Sequence, residues 1–131
     1  MNIETVIEQI HLDALKLKEV LIVFTIFIGV DVLTGIINAV LKKELSSTKM
    51  KQGLYGKLGE MIIITMVIVL NRFLGLPYIV AVFTVIFYIS QEGLSILENT
   101  AEYISYPQFI KDFLIKINEL SSNKKEVKGD K

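Results

Sequence analysis

Cysteine and tryptophan are absent from this 131-residue chain, histidine occurs once and proline twice. The lack of cysteine excludes a disulfide framework and a thiolate metal site. Charged residues make up only 21% of the chain and the formal net charge is zero, which argues against a nucleic-acid partner. Hydrophobic residues account for 52%, with a positive mean hydropathy of +0.53. This composition indicates an all-α integral membrane protein.

Catalytic chemistry has almost no residues to use in this sequence. The single histidine, His11, lies on an amphipathic segment where we expect it to be solvated. No serine has a histidine partner nearby in the sequence, and no carboxylate–histidine group has metal-ligand spacing. We therefore expect no catalytic residue, no metal site, no cofactor and no enzymatic activity.

Residues 20–41 form the clearest membrane segment. They carry one charge, Asp31, and a helix of this length spans about 33 Å, close to the ~30 Å hydrocarbon core. The many Val, Leu, Ile and Phe residues outweigh the cost of about 3 kcal/mol for one central aspartate. The sequence predicts that this helix inserts and that Asp31 then requires polar contacts.

Residues 58–97 are predicted to form a transmembrane helical hairpin. The apolar stretch within this range is too long for one untilted span, and Gly75-Leu76-Pro77 is a natural break. This gives three transmembrane helices in total. Two spans, the second a long kinked helix, are the alternative.

The distribution of lysine favours three spans. The segment of residues 42–57 is predicted to be a basic cytoplasmic loop, whereas residues 1–19 carry more acids than lysines. The positive-inside rule then places the N-terminus outside. Three spans return the lysine-rich C-terminus to the cytoplasm, so we expect a cytoplasmic C-terminus.

The two ends of the chain show apolar residues at helical spacing. Residues 1–19 and 98–120 are predicted to contain amphipathic helices, which suit either a bilayer surface or a seam between subunits. Residues 121–131 are polar and are expected to be disordered.

Polar and small residues share one face of the first span, and a second polar face lies on the third helix. On the first span they recur at helical spacing: Asp31, Thr34, Gly35 and Asn38. On the third helix they are Tyr88, Gln91, Glu92, Ser95 and Asn99. These faces suit a pore lining or subunit contact, or else ordinary packing between helices. We favour a functional or assembly role for Asp31 and plain packing for Thr34 and Gly35.

A run of glycines precedes the second span. Gly53, Gly56 and Gly59 make a smooth ridge for the close approach of another helix. Lys57 and Glu60 are spaced so that they can pair with each other.

Several segments resemble the toxin-secretion and phage-lysis holins. These are the run Asp31-Val32-Leu33-Thr34-Gly35, the pairs Ser46-Ser47 and Gly53-Leu54 with Lys57, the block at residues 88–99, and Pro107 before a final amphipathic helix. The resemblance covers roughly residues 20–117. It departs from the family at residues 103–106, where relatives often have a glycine before the late proline, and near Asn71, where many carry an acid.

The resemblance implies a phage or prophage protein that oligomerises in the bacterial cytoplasmic membrane. The resulting holes would release an endolysin, a muralytic enzyme, or a large toxin. The assembly residues would be Asp31, Thr34, Gly35, Asn38, Glu92 and Ser95. The expected partners are the lipid bilayer, further copies of the chain, the released cargo and an antiholin. A dedicated toxin-export channel, or an inhibitor or scaffold that pairs with a separate hole-former, is the alternative.

Overall fold

A computed structural model describes residues 2–126, with the side chains of residues 10–15, 118 and 121–126 left aside. The expected solvation of His11 and the expected disorder of residues 127–131 lie outside this description. Within the described residues the chain has four helices and no strand: α1 (Ile3–Leu41), α2 (Ser47–Leu74), α3 (Ile79–Thr100) and α4 (Gln108–Glu126). The prediction of an all-α protein is confirmed.

Three of the helices are long and apolar enough to cross a membrane. The candidate spans are Lys16–Leu41, Ser47–Leu74 and Ile79–Thr100. The three-span prediction is therefore confirmed over the two-span alternative.

The helix ends differ in position from the expected segment boundaries. The amphipathic residues before position 20 continue directly into the first span as part of α1, because no proline or glycine interrupts them. The expected loop of residues 42–57 shortens to residues 42–46, because Ser46 caps α2 by accepting a hydrogen bond from the Lys49 amide at 3.5 Å. The backbone of α4 continues to Glu126, six residues into the segment expected to be disordered.

The break at Gly75-Leu76-Pro77 separates α2 from α3 as predicted. Gly75 adopts the left-handed conformation, with φ of 63°, at the C-terminal end of α2. The Leu76 amide closes the turn by donating to the Asn71 carbonyl at 3.1 Å. Pro77 then keeps α2 from continuing into α3.

Helix α3 lies at the centre of the fold and packs against each of the other three helices, most extensively against α1. The buried apolar core is small and is formed by Phe24, Ile64 and Val85, one residue from each span. Large apolar side chains such as Phe73 (88% exposed) and Ile62 (67%) point outward. This outward apolar surface is the surface that a lipid-embedded bundle presents.

Helix α4 folds back onto α3 at Gly93. A Cβ atom at this position would lie 3.2 Å from Leu114 Cδ1 and 3.4 Å from Phe27 Cε1, so the glycine permits close packing of α1, α3 and α4. Just beyond the C-terminal ends of α1 and α3, Lys42 Nζ lies 3.1 Å from Glu102 Oε1. This hydrogen bond raises the pKa of Lys42 above its usual value. The C-terminal ends of α1 and α3 therefore lie on the same side of the bundle.

Candidate functional site

A buried ion-pair cluster joins the three spans. Lys57 Nζ on α2 lies 2.6 Å from Asp31 Oδ2 on α1 and also donates a hydrogen bond to Glu92 Oε2 on α3. The three side chains are only 14%, 9% and 2% exposed, respectively. A single lysine therefore bridges carboxylates from two other helices, where water does not screen the interaction.

An amide from α3 completes the coordination of Asp31. Asn99 Nδ2 donates to Asp31 Oδ1 at 3.1 Å and lies 3.4 Å from Thr34 Oγ1. The Thr34 hydroxyl itself donates to the Val30 carbonyl at 2.9 Å. Gly35 leaves room for this amide, because a Cβ atom there would lie 3.4 Å from Asn99 Nδ2. Each Asp31 carboxylate oxygen thus has a hydrogen-bond donor from a different helix.

A third acidic side chain lies beside the cluster. Glu60, one turn after Lys57 on α2, interacts with Glu92, and its Oε2 atom is buried without a hydrogen-bond partner among the described residues. The cluster therefore contains three carboxyl groups and one ammonium group. Because the carboxyl groups outnumber the ammonium group, the packed helices enclose acidic groups that water would solvate better.

The cluster lies deep in the apolar part of the bundle. Asp31 is ten residues from the end of α1 at Leu41, and Lys57 is ten residues from the start of α2 at Ser47. At 1.5 Å per residue, both are about 15 Å from the ends of their helices. Leaving polar groups unpaired at this depth is energetically costly, because the lipid provides no hydrogen-bond partners. The contacts between the helices provide these partners instead.

Comparison with known proteins agrees with this membrane architecture. The sequence profile of the bacteriophage holin family matches residues 11–119. The chain belongs to this holin family. No solved structure matches it significantly.

Individual relatives of this holin-family chain come from Bacillus subtilis, a Bacillus phage and Clostridium perfringens. It is 33% identical to a probable holin of Bacillus phage phi105 over 98 residues, which cover 74% of this chain and 73% of the relative. It is 35% identical to protein YqxH of Bacillus subtilis strain 168, over 95% of this chain and 89% of the relative. A 14.9 kDa protein from the nagH 3′ region of Clostridium perfringens is 34% identical, over 75% of this chain and 76% of the relative.

Of the six residues singled out in the sequence, the holin structure brings four together. Asp31 and Glu92 bind Lys57, while Thr34 and Gly35 accommodate Asn99. The remaining two lie outside the cluster: Asn38 lines a groove between α1 and α2, and Ser95 is half-buried on α3. The assembly role of all six stays a prediction.

The partner expected for Lys57 is wrong. The described ion pairs join its ammonium group to Asp31 and Glu92 and include none with Glu60. The reason is that Asp31 and Glu92 are more deeply buried than Glu60. Among the described residues, Lys57 is the cation that both of them contact. Matching depths along the helices would have found the Asp31–Lys57 pair, because both residues are equally far from the short loop that joins α1 to α2.

The glycine ridge of α2 is not used for packing against the part of the chain that the structure describes. A Cβ atom at Gly53, Gly56 or Gly59 would meet no atom of these residues within 4 Å. The close helix approach expected there therefore does not occur among the described helices.

Proposed function

We propose that this chain oligomerises in the bacterial cytoplasmic membrane and forms holes that release a muralytic enzyme or a large toxin. Membership of the bacteriophage holin family supports hole formation as the activity. The proposal assigns no catalytic step to the chain. The lysines of residues 42–51 and of the C-terminal segment support a cytoplasmic C-terminus.

The observation that carries the proposal is the ion pairing of Lys57 with both Asp31 and Glu92 inside the bundle. In the isolated chain these charges face one another, while large apolar side chains of the spans point outward, where lipid can surround them. A chain in this state can accumulate in the membrane without conducting water or ions.

A water-filled hole needs polar groups on the surface that lines it. In the spans, the described threonines at positions 25, 65 and 84 donate to backbone carbonyls of their own helices and offer little polar surface. The groups that gain most from water are the carboxylates of Asp31 and Glu92, which share one lysine, and the carboxyl group of Glu60, whose Oε2 atom is buried without a partner among the described residues. We infer that assembly separates the helices around this cluster and turns it toward the hole, where hydration offsets the lost contacts.

The test is induced expression in a bacterium with and without a co-expressed cytoplasmic muralytic enzyme, following turbidity and membrane potential. Abrupt depolarisation followed by enzyme-dependent clearing is the expected result. Growth arrest without enzyme release would contradict hole formation. Delayed lysis on co-expression with a second hole-former would indicate an inhibitor or antiholin-like partner role instead.

Two single substitutions test the cluster within the same assay. Asp31→Asn and Glu92→Gln each replace a charged carboxylate partner of Lys57 by a neutral amide. This change weakens the packing of the helices around the cluster, so we expect earlier lysis and a changed oligomer size. Glu98→Gln makes the same chemical change at an exposed position of α3 and serves as the matched control. Lysis times and oligomer sizes that match the unsubstituted protein in both cluster variants would remove the support for this mechanism.

A further inference from the structure

A groove separates α1 from α2 on the side where the two helices are connected. Its volume is about 650 Å³, and its walls include Ile36 and Ala39 of α1 and Met50 and Leu54 of α2. Asp31 and Lys57 lie at its deep end. Among the described helices, α1 and α2 are not a pair that packs extensively, and this leaves the groove open between them.

The mouth of the groove is basic. Lys49 and Lys51 line it and make no ion pair with any described residue. Lys42 also lies there but is paired with Glu102, and Glu44 is the acidic residue of the mouth. The N-terminal end of α2 adds partial positive charge, because its first amides have no acceptors within the helix.

The groove therefore changes character along its length. From Lys49 to Lys57 is eight residues of helix, or about 12 Å. The groove begins at Lys49 and Lys51, near the start of α2, and continues between apolar walls toward the middle of the bundle. A complementary molecule has one anionic end and one apolar end.

We propose that the groove binds an anionic phospholipid of the surrounding membrane. Its phosphate lies between Lys49 and Lys51, and one acyl chain lies along the path between Gly35 and Gly53. The inference concerns the single chain in the membrane and does not depend on hole formation.

Native mass spectrometry of the purified protein, released from nanodiscs of phosphatidylcholine with a minor fraction of phosphatidylglycerol, measures the bound lipid directly. We expect one phosphatidylglycerol per chain, retained in preference to phosphatidylcholine. Because a lysine near an anionic surface contributes about fivefold, Lys49→Gln with Lys51→Gln should lower this preference roughly 20- to 30-fold. Lys16→Gln with Lys18→Gln removes two lysines at exposed positions far along α1 and should leave it unchanged.

Gly53→Leu tests the apolar part of the groove without changing any charge. A side chain at this position enters open space, and leucine favours helix more than glycine does, so folding is preserved. We expect lipid retention to fall in Gly53→Leu. It should persist in Gly56→Leu, which makes the same change outside the groove.

Three outcomes would overturn the proposal. The first is equal retention of both lipids by all variants. The second is full competition by free glycerol phosphate, which would mean that the lysines bind an anion without an acyl chain. The third is efficient disulfide cross-linking between copies through Gly53→Cys, which would place a second chain in the groove. The natural chain has no cysteine, so such a cross-link would be unambiguous.

Discussion

Replacement of Lys57 by methionine removes the only ammonium group of the cluster while keeping a side chain of similar length. Asp31 and Glu92 then lose the cation that both contact, and Asp31 keeps only its hydrogen bond from Asn99. All three ionic side chains are at most 14% exposed, so solvent screening does not reduce the effect as it does for surface pairs.

The expected loss is about 3 kcal/mol in the free energy of unfolding. Breaking a buried ion pair by removing one partner costs about 3–5 kcal/mol. Single polar contacts between helices in membranes contribute less, up to about 1.7 kcal/mol. The lower end of the first range is the better estimate here, because polar contacts between helices in a membrane are weaker than those in the first range.

Reversible unfolding in mixed micelles, titrated with sodium dodecyl sulfate, measures this difference. Lys51→Met is the matched control, since Lys51 lies on the same helix, is exposed and pairs with no described residue. A variant combining Lys57→Met with Asp31→Asn and Glu92→Gln should regain most of the lost stability, because the two carboxylates that contacted Lys57 are then neutral amides that need no cation. If Lys57→Met unfolds within about 0.5 kcal/mol of the natural chain, the cluster does not hold the three helices together.

Two glycines provide further tests of the fold. Gly75→Ala should destabilise the turn between α2 and α3 by about 1 kcal/mol, because φ is 63° at this position. The dodecyl sulfate titration measures this loss, and an unchanged unfolding midpoint would contradict the left-handed turn. Gly93→Leu should detach α4 from α3, because even a Cβ atom would lie 3.2 Å from Leu114 Cδ1. Faster hydrogen exchange of the α4 amides would confirm this, and equal protection in both proteins would argue against the α3–α4 contact.

The sequence was sufficient for the number of spans and for the turn between the second and third. Long apolar runs and the Gly75-Leu76-Pro77 break act locally, so they are visible without knowledge of the packing. The start of α2 was harder to place. Five lysines in residues 42–57 indicated a loop, but a capping serine followed by residues without proline is enough to begin a helix at Ser47.

The cluster could be predicted only in part, because its contacts join residues far apart in the chain. Helical spacing identified the polar faces that hold Asp31 and Glu92. It also indicated a local partner for Lys57, since a residue three positions away on the same helix is the nearest candidate. Burial decides the actual pairing: the carboxylates on α1 and α3 are deeper, and leaving them unpaired would cost more than leaving Glu60 partly unsatisfied.

The position of the cluster distinguishes two steps, the insertion of the spans into the membrane and their association with one another. The first span is apolar enough to insert despite Asp31, whose cost of about 3 kcal/mol is outweighed by its apolar neighbours. Lys57 and Glu92 belong to later helices, so they reach Asp31 only when the inserted spans pack together. The cluster therefore determines how the helices associate and does not determine whether they enter the membrane. Changes at Asp31 are accordingly expected to alter packing and assembly while the amount of protein in the membrane stays the same.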